Sequence, residues 1–239
     1  MTERRFNLIK TDIEQQEKRI FPRFPFCYLT FKPESDARVY EVKDITHTGM
    51  QLVVKQAEGI FKMGDTLQGS IHWLGHEMKL MGKVMWSTDG RAGIEFVKRA
   101  ETAESIKKFL GEERLVAALK PLHMVDYGAE LPSKLKYWLR SDGPVEVFVW
   151  QHQDHEFSHF QVLLLENFVE WQDGVGLKTG RIMSKRNVDT PLMDEDELLF
   201  RVDQGLDDDK LHRVRSLVGR IPANLLNREV KDFLLMKLS

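Results

Sequence analysis

The chain has a single cysteine, Cys27, so no disulfide can form within it. It has no long apolar run: Val162–Leu165 is far too short to span a bilayer, and the opening Met1 to Arg5 leads into nothing of the signal-peptide type. A cytoplasmic protein is the expectation. Charge of one sign is also lacking. A formal net charge of -2 argues against a coat for nucleic acid or a surface held to membranes by bulk cationic attraction, so any anion site must be local. The sequence contains no nucleophile elbow, phosphate loop or dinucleotide fingerprint, and no internal repeat or low-complexity tract. What is present is ordinary for a folded protein, with 42% hydrophobic and 30% charged residues. At 239 residues, two domains are expected.

Residues 1–17 place Phe6, Ile9 and Ile13 at helical spacing among charges, which predicts a short amphipathic helix. Pro22 and Pro25 then impose an extended, irregular segment. From Cys27 to Val97 the pattern changes to short strands divided by turn residues: 27–31, 38–45, 50–54, 66–73, 78–87 and 92–97. Asp89-Gly90 is a hairpin signal, and Met63-Gly64-Asp65 marks another turn. Six strands of this length suggest a closed barrel without free edges. Residues 101–120 read as a helix or a broken pair with Gly111 at the break, ending a first domain over 18–120.

Residues 121–132 read as a linker, and 133–239 as an α+β domain of unassigned type. Within that second domain a helix is expected over 133–140, followed by strands at 145–151, 157–171 with a bend, and 176–184. Residues 189–209 hold nine acidic residues against the single base Arg201. Asp207, Asp208 and Asp209 precede Leu211, Val214, Leu217 and Val218, as carboxylates do at a helix start. Pro222 is placed at the first position of a last helix carrying Leu225, Leu226, Val230, Phe233 and Leu234.

Three features stand in order: Arg19-x-x-x-Arg23 before the first strand, Asp44-x-Thr46-x-x-Gly49 at the end of the second, and Gly93-Ile94-Glu95-Phe96 in the last. In this order and strand context, residues 15–110 resemble the PilZ family of cyclic di-GMP receptors. The resemblance implies a six-stranded antiparallel barrel with flanking helices and a ligand in place of a cofactor. It also implies a non-catalytic role upstream of a motility, secretion, polysaccharide or biofilm machine. Residues 111–239 gain nothing from it.

By the same resemblance Arg19 and Arg23 meet guanine edges, ring faces and phosphates, for which the planar guanidinium fork suits the paired O6 and N7 acceptors. Asp44 accepts from guanine N1–H or the exocyclic amine, a donor pair that adenine lacks. Thr46 stands where the family usually has serine. Gly49 is expected to supply a positive φ and close backbone approach. Trp86 is placed as a guanine platform, and Lys18, before the first arginine, sits where the family's residue influences ligand stoichiometry.

Each feature also has a plainer reading. The arginines are alternatively the solvated flanks of a proline-kinked linker, Asp44 to Gly49 also builds an Asx-type turn, and Trp86 also serves as barrel packing. His152, His155 and His159, interleaved with Asp154 and Glu156, raise a metal or enzymatic domain as an alternative, yet their spacing matches no helical metal motif. The expectation is a cyclic di-GMP receptor with an unidentified protein partner, no metal, no nucleic acid and no membrane span. The alternative is a PilZ-like adaptor that acts through protein contacts alone.

Overall fold

A computed structural model describes residues 9–10, 16–21, 29–54, 61–88, 90–124, 134–141, 145–184 and 196–239. The chain divides into two compact units. One is Phe26–Leu115 with Asp142–Pro144; the other joins Met1–Pro25 to Val116–Ser141 and Val145–Ser239.

The chain opens with two antiparallel strands, β1 (Ile9–Lys10) and β2 (Gln16–Phe21). Residues 9–10 and 16–17 are thus strand where a helix was expected over 1–17, and the rest of that expected helix lies outside the described residues. β2 pairs along its length with a strand near the other end of the sequence, and a partner of that kind outweighs local periodicity.

In the barrel unit, β3 (Thr30–Pro33), β4 (Tyr40–Ile45), β5 (Gly49–Val53), β6 (Thr66–Trp73), β7 (His76–Thr88) and β8 (Arg91–Phe96) close in the order β3-β4-β5-β8-β7-β6. Every pairing is antiparallel. The strands form here because their alternating apolar positions converge: Phe31, Val42, Leu52, Ile71, Val84 and Ala92 are fully buried and fill the interior. The turn at Gly64 adopts φ 95°, open to glycine without strain, and Asp65 closes it by accepting from the Lys62 N–H. Gly90 has φ 87°, while Asp89 of the expected hairpin signal lies outside the described residues.

Helix α1 (Ala100–Phe109) carries Glu101 in its first turn and Lys107 and Lys108 in its last, signs that suit the macrodipole. Its buried Phe109 meets Trp73 with ring centroids 5.9 Å apart. The helical pattern breaks at Leu110-Gly111 as expected, and α2 (Glu112–Ala117) follows.

In the other unit, β9 (Lys120–Pro121), β10 (Leu135–Arg140), β11 (Val145–Gln151), β12 (Phe157–Leu164), β13 (Asn167–Gln172), β14 (Gly176–Ser184) and β15 (Asp196–Val202) complete the architecture. Among the described residues they join β1 and β2 in a nine-stranded antiparallel sheet, ordered β1-β2-β15-β14-β13-β12-β11-β10-β9. One face gathers Trp138, Phe148, Leu163, Phe168 and Phe200 with Leu122. On the other, Phe233 of α4 (Arg228–Lys237) meets Phe157, Phe160 and Trp171.

Before α4 lies α3 (Asp208–Arg220), which buries Val214, Leu217 and Val218 and begins where the aspartates predict: Asp207 accepts from the Lys210 N–H. Two expectations are corrected here. Residues 135–140 form strand β10 rather than the helix expected over 133–140, because pairing with β11 outweighs the helix propensity of their Leu, Lys and Arg. The last helix starts at the Asn227 cap, whose side chain accepts from the Val230 N–H; Pro222 instead begins the preceding turn, its carbonyl accepting from the N–H groups of Leu225 and Leu226.

Candidate functional site

The Asp44–Gly49 motif occupies the turn between β4 and β5. Thr46 organises it. Its backbone N–H donates to the Gly49 carbonyl at 2.8 Å, while its hydroxyl oxygen accepts from the N–H groups of Thr48 at 3.1 Å and Gly49 at 3.2 Å. The hydroxyl this motif needs is therefore supplied by threonine. Gly49 does not adopt the positive φ expected of it. Its requirement is steric, because a Cβ there would stand 2.5 Å from the backbone oxygen of Ile94 on β8, an atom that cannot swing aside.

Asp44 reaches the outside of the barrel through a bulge. Val42 pairs with Leu52 and Asp44 with Gln51, so Lys43 is the extra residue; Val42 and Ile45 can then both face the core while Asp44 faces away from it. A second bulge does the same on β7: Val84 pairs with Ile94 and Trp86 with Gly93, with Met85 inserted. Gln51 pairs in turn with Gly93. One lateral row on the outer face thus runs Asp44, Gln51, Gly93, Trp86 across β4, β5, β8 and β7, with a bulge at each end.

The row is sheltered although it points away from the core. Gln51 is 5% exposed and Arg91, two residues before Gly93, is 4% exposed. Trp86 is half-buried, and its indole lies where a Cβ on Gly93 would collide with Nε1 and Cε2, so the glycine makes room for the ring. Burial pushes the Asp44 carboxyl above the ordinary aspartate range, against the opposing charges of Lys43 and Arg91. An acceptor held in a desolvated strip gains from any N–H donor brought to it.

Lys18 and Arg19 are in β2, opposite Leu199 and Leu198 of β15, and Arg23 lies outside the described residues. Sequence reasoning placed Asp44, Thr46, Gly49 and Trp86, and the structure brings Asp44 and Trp86 into one row. Gln51, the polar residue between them in that row, was not among the expected residues because its place depends on the register between the two bulges. A wide groove of about 650 Å³ on β3, β6 and β7, lined by Lys32, Ser70, His72, Glu77 and Lys79, contains none of these residues.

The three histidines do not converge. His159 on β12 shares a hydrogen bond of 2.6 Å with Glu170 and stacks on Trp150 at 4.3 Å, whereas His152 lies 3.7 Å from Asp173 and His155 is exposed. Among the described residues no three His, Cys, Asp or Glu side chains are grouped to hold a metal ion. Nor is any described helix long and apolar enough to cross a membrane.

A comparison of families fits residues 16–112, rather less than half of the chain, to the PilZ domain. That segment is similar to PilZ domains. The matched stretch begins within β2, so it takes in Lys18, Arg19 and Arg23 as well as the whole barrel. PilZ domains constitute a family of cyclic di-GMP receptors and are typically not enzymes. No curated protein and no solved structure matches the chain.

Proposed function

We propose that this protein is a non-catalytic receptor for cyclic di-GMP, which it recognises through Arg19, Arg23, Asp44, the Thr46–Gly49 turn and Trp86, with Lys18 influencing how many ligands bind. The observation that carries the reading is the outer-face row of the PilZ barrel. There the Asp44 carboxyl and the half-buried Trp86 indole stand at the two ends of a row whose inner members are Gln51 and Gly93, beside a turn held by its own hydroxyl. An ionised aspartate accepts from the guanine N1–H and exocyclic amine, and the indole offers a face on which a purine stacks.

The arginine pair is assigned by motif and by the extent of the family match. Two guanidinium forks complement the guanine O6 and N7 acceptors and the two phosphates. A ligand shifts an equilibrium only by its differential affinity for two states, so the signal to residues 133–239 and to a protein partner must come from contacts made in the bound state alone.

Titration calorimetry of the full chain with cyclic di-GMP tests this. Micromolar or tighter binding is expected, abolished by Arg19→Ala. Absence of binding to the unmodified chain at high micromolar ligand would leave the alternative, an adaptor acting by protein contacts only.

A further inference from the structure

We infer that Gln51 is a specificity-determining residue of this barrel, a second acceptor for the exocyclic amine of guanine beside Asp44; the inference rests on the cyclic di-GMP reading above. Gln51 is paired with Asp44 on one side and with Gly93 on the other. It points opposite to its core-facing neighbours Met50 and Leu52, yet remains 5% exposed. Its Oε1 is buried without a hydrogen-bond partner. Buried polar atoms in folded proteins are nearly always paired, and one left over beside a binding motif is satisfied when the missing group arrives.

The chemistry of that missing group follows from the atoms that await it. Directly paired side chains on one face of a sheet stand about 4.5–5.5 Å apart at Cβ. The Asp44 carboxylate and the Gln51 carbonyl therefore present adjacent acceptors. Such a strip needs an edge with adjacent donors. Guanine supplies one, with N1–H and a two-hydrogen amine side by side, so Asp44 takes N1–H and one amine hydrogen while Gln51 takes the other. Adenine opposes the same strip with the lone pair of its N1 next to a single amine and is rejected.

The two bulges fit this role, since each turns an end of the row outward without opening the barrel core. Gly93 contributes by absence, since without a Cβ it lets the Trp86 ring lie over the position paired with Gln51.

The test compares cyclic di-GMP with cyclic di-IMP, identical except that hypoxanthine lacks the exocyclic amine, by calorimetric titration of the full chain and of Gln51→Met. The unmodified chain is expected to prefer cyclic di-GMP by about ten-fold or more, and Gln51→Met to reduce that preference about ten-fold by weakening cyclic di-GMP while barely affecting the inosine analogue. A preference unchanged in Gln51→Met overturns the inference and leaves the receptor reading standing. No binding of cyclic di-GMP to the unmodified chain overturns both. Ligand-free Gln51→Met is expected to melt no lower than the parent; a lower melting temperature contradicts the unpaired state of Oε1 and overturns the inference as well.

Discussion

The barrel and the nine-stranded sheet each bury a glutamine on a strand with a side-chain oxygen unpaired, yet the surroundings differ. Gln51 sits between Asp44 and Gly93, in a row bounded by two bulges and next to a turn whose hydrogen bonds are internal. Gln161, fully buried with both amide atoms unpaired, sits between Phe148 and Glu170 in an unbroken stretch of register. Nearby polar groups on the sheet are already engaged. Glu170 holds His159, and Asp203 accepts from Lys210 at 2.6 Å and from the Thr179 hydroxyl at 2.7 Å. Under the proposed function the same residue type awaits a ligand in one unit and is a packing cost in the other. Register and neighbours distinguish the two cases, where burial alone does not.

The sharpest way to break that contrast is to remove a buried structural polar group from the helix that follows the sheet. Lys210 is buried at the start of α3, its ammonium against Asp203 and 3.5 Å from Asp207. Lys210→Met should destabilise the protein by about 2 kcal/mol at neutral pH, below the usual range for breaking a buried pair because Asp203 retains contact with solvent. Burial raises the Asp203 carboxyl, but hydrogen bonds from Lys210 and Thr179 and the charge of Lys210 outweigh it, leaving the group below its ordinary value. A depressed folded-state value contributes stability above the unfolded pKa, which is lost as pH falls through the folded one. The difference between parent and variant should therefore shrink in melts below about pH 4.

A smaller effect, of opposite sign, comes from Gln161→Met. Replacing an unpaired buried amide by an apolar chain of the same length should raise stability by about 1 kcal/mol and leave cyclic di-GMP affinity unchanged. A variant at Gln161 that lost ligand affinity would show that the sheet, too, contributes to recognition.

Much of the barrel was legible in the sequence because its signals are local. Thr66–Trp73 alternates cleanly in burial, Gly64 marks its turn, and Asp44-x-Thr46-x-x-Gly49 states its own hydrogen bonds. The reason for Gly49 was not legible: the clash it avoids is with a strand more than forty residues later in the chain. Gln51 was hidden for the same kind of reason, since only the two bulges decide that it shares a face with Asp44 and Trp86.

In the sheet, β10 was misread because Leu135, Lys136, Leu139 and Arg140 favour helices wherever no strand waits beside them. β15 was concealed in an acidic tract, and its partner β2 lies near the opposite end of the chain. The start of α3 was readable because three aspartates before an apolar stripe carry their meaning without distant help.

The most direct test of the central claim is a nuclear magnetic resonance titration of the full chain with cyclic di-GMP, following backbone amides and indole N–H groups. The account predicts saturable shifts at the Thr46–Gly49 amides, at Gln51 and Gly93, and at the indole of Trp86, with those of Gln161 and Lys210 unmoved. Saturating ligand that leaves Trp86, Gly93 and the turn unshifted would contradict it.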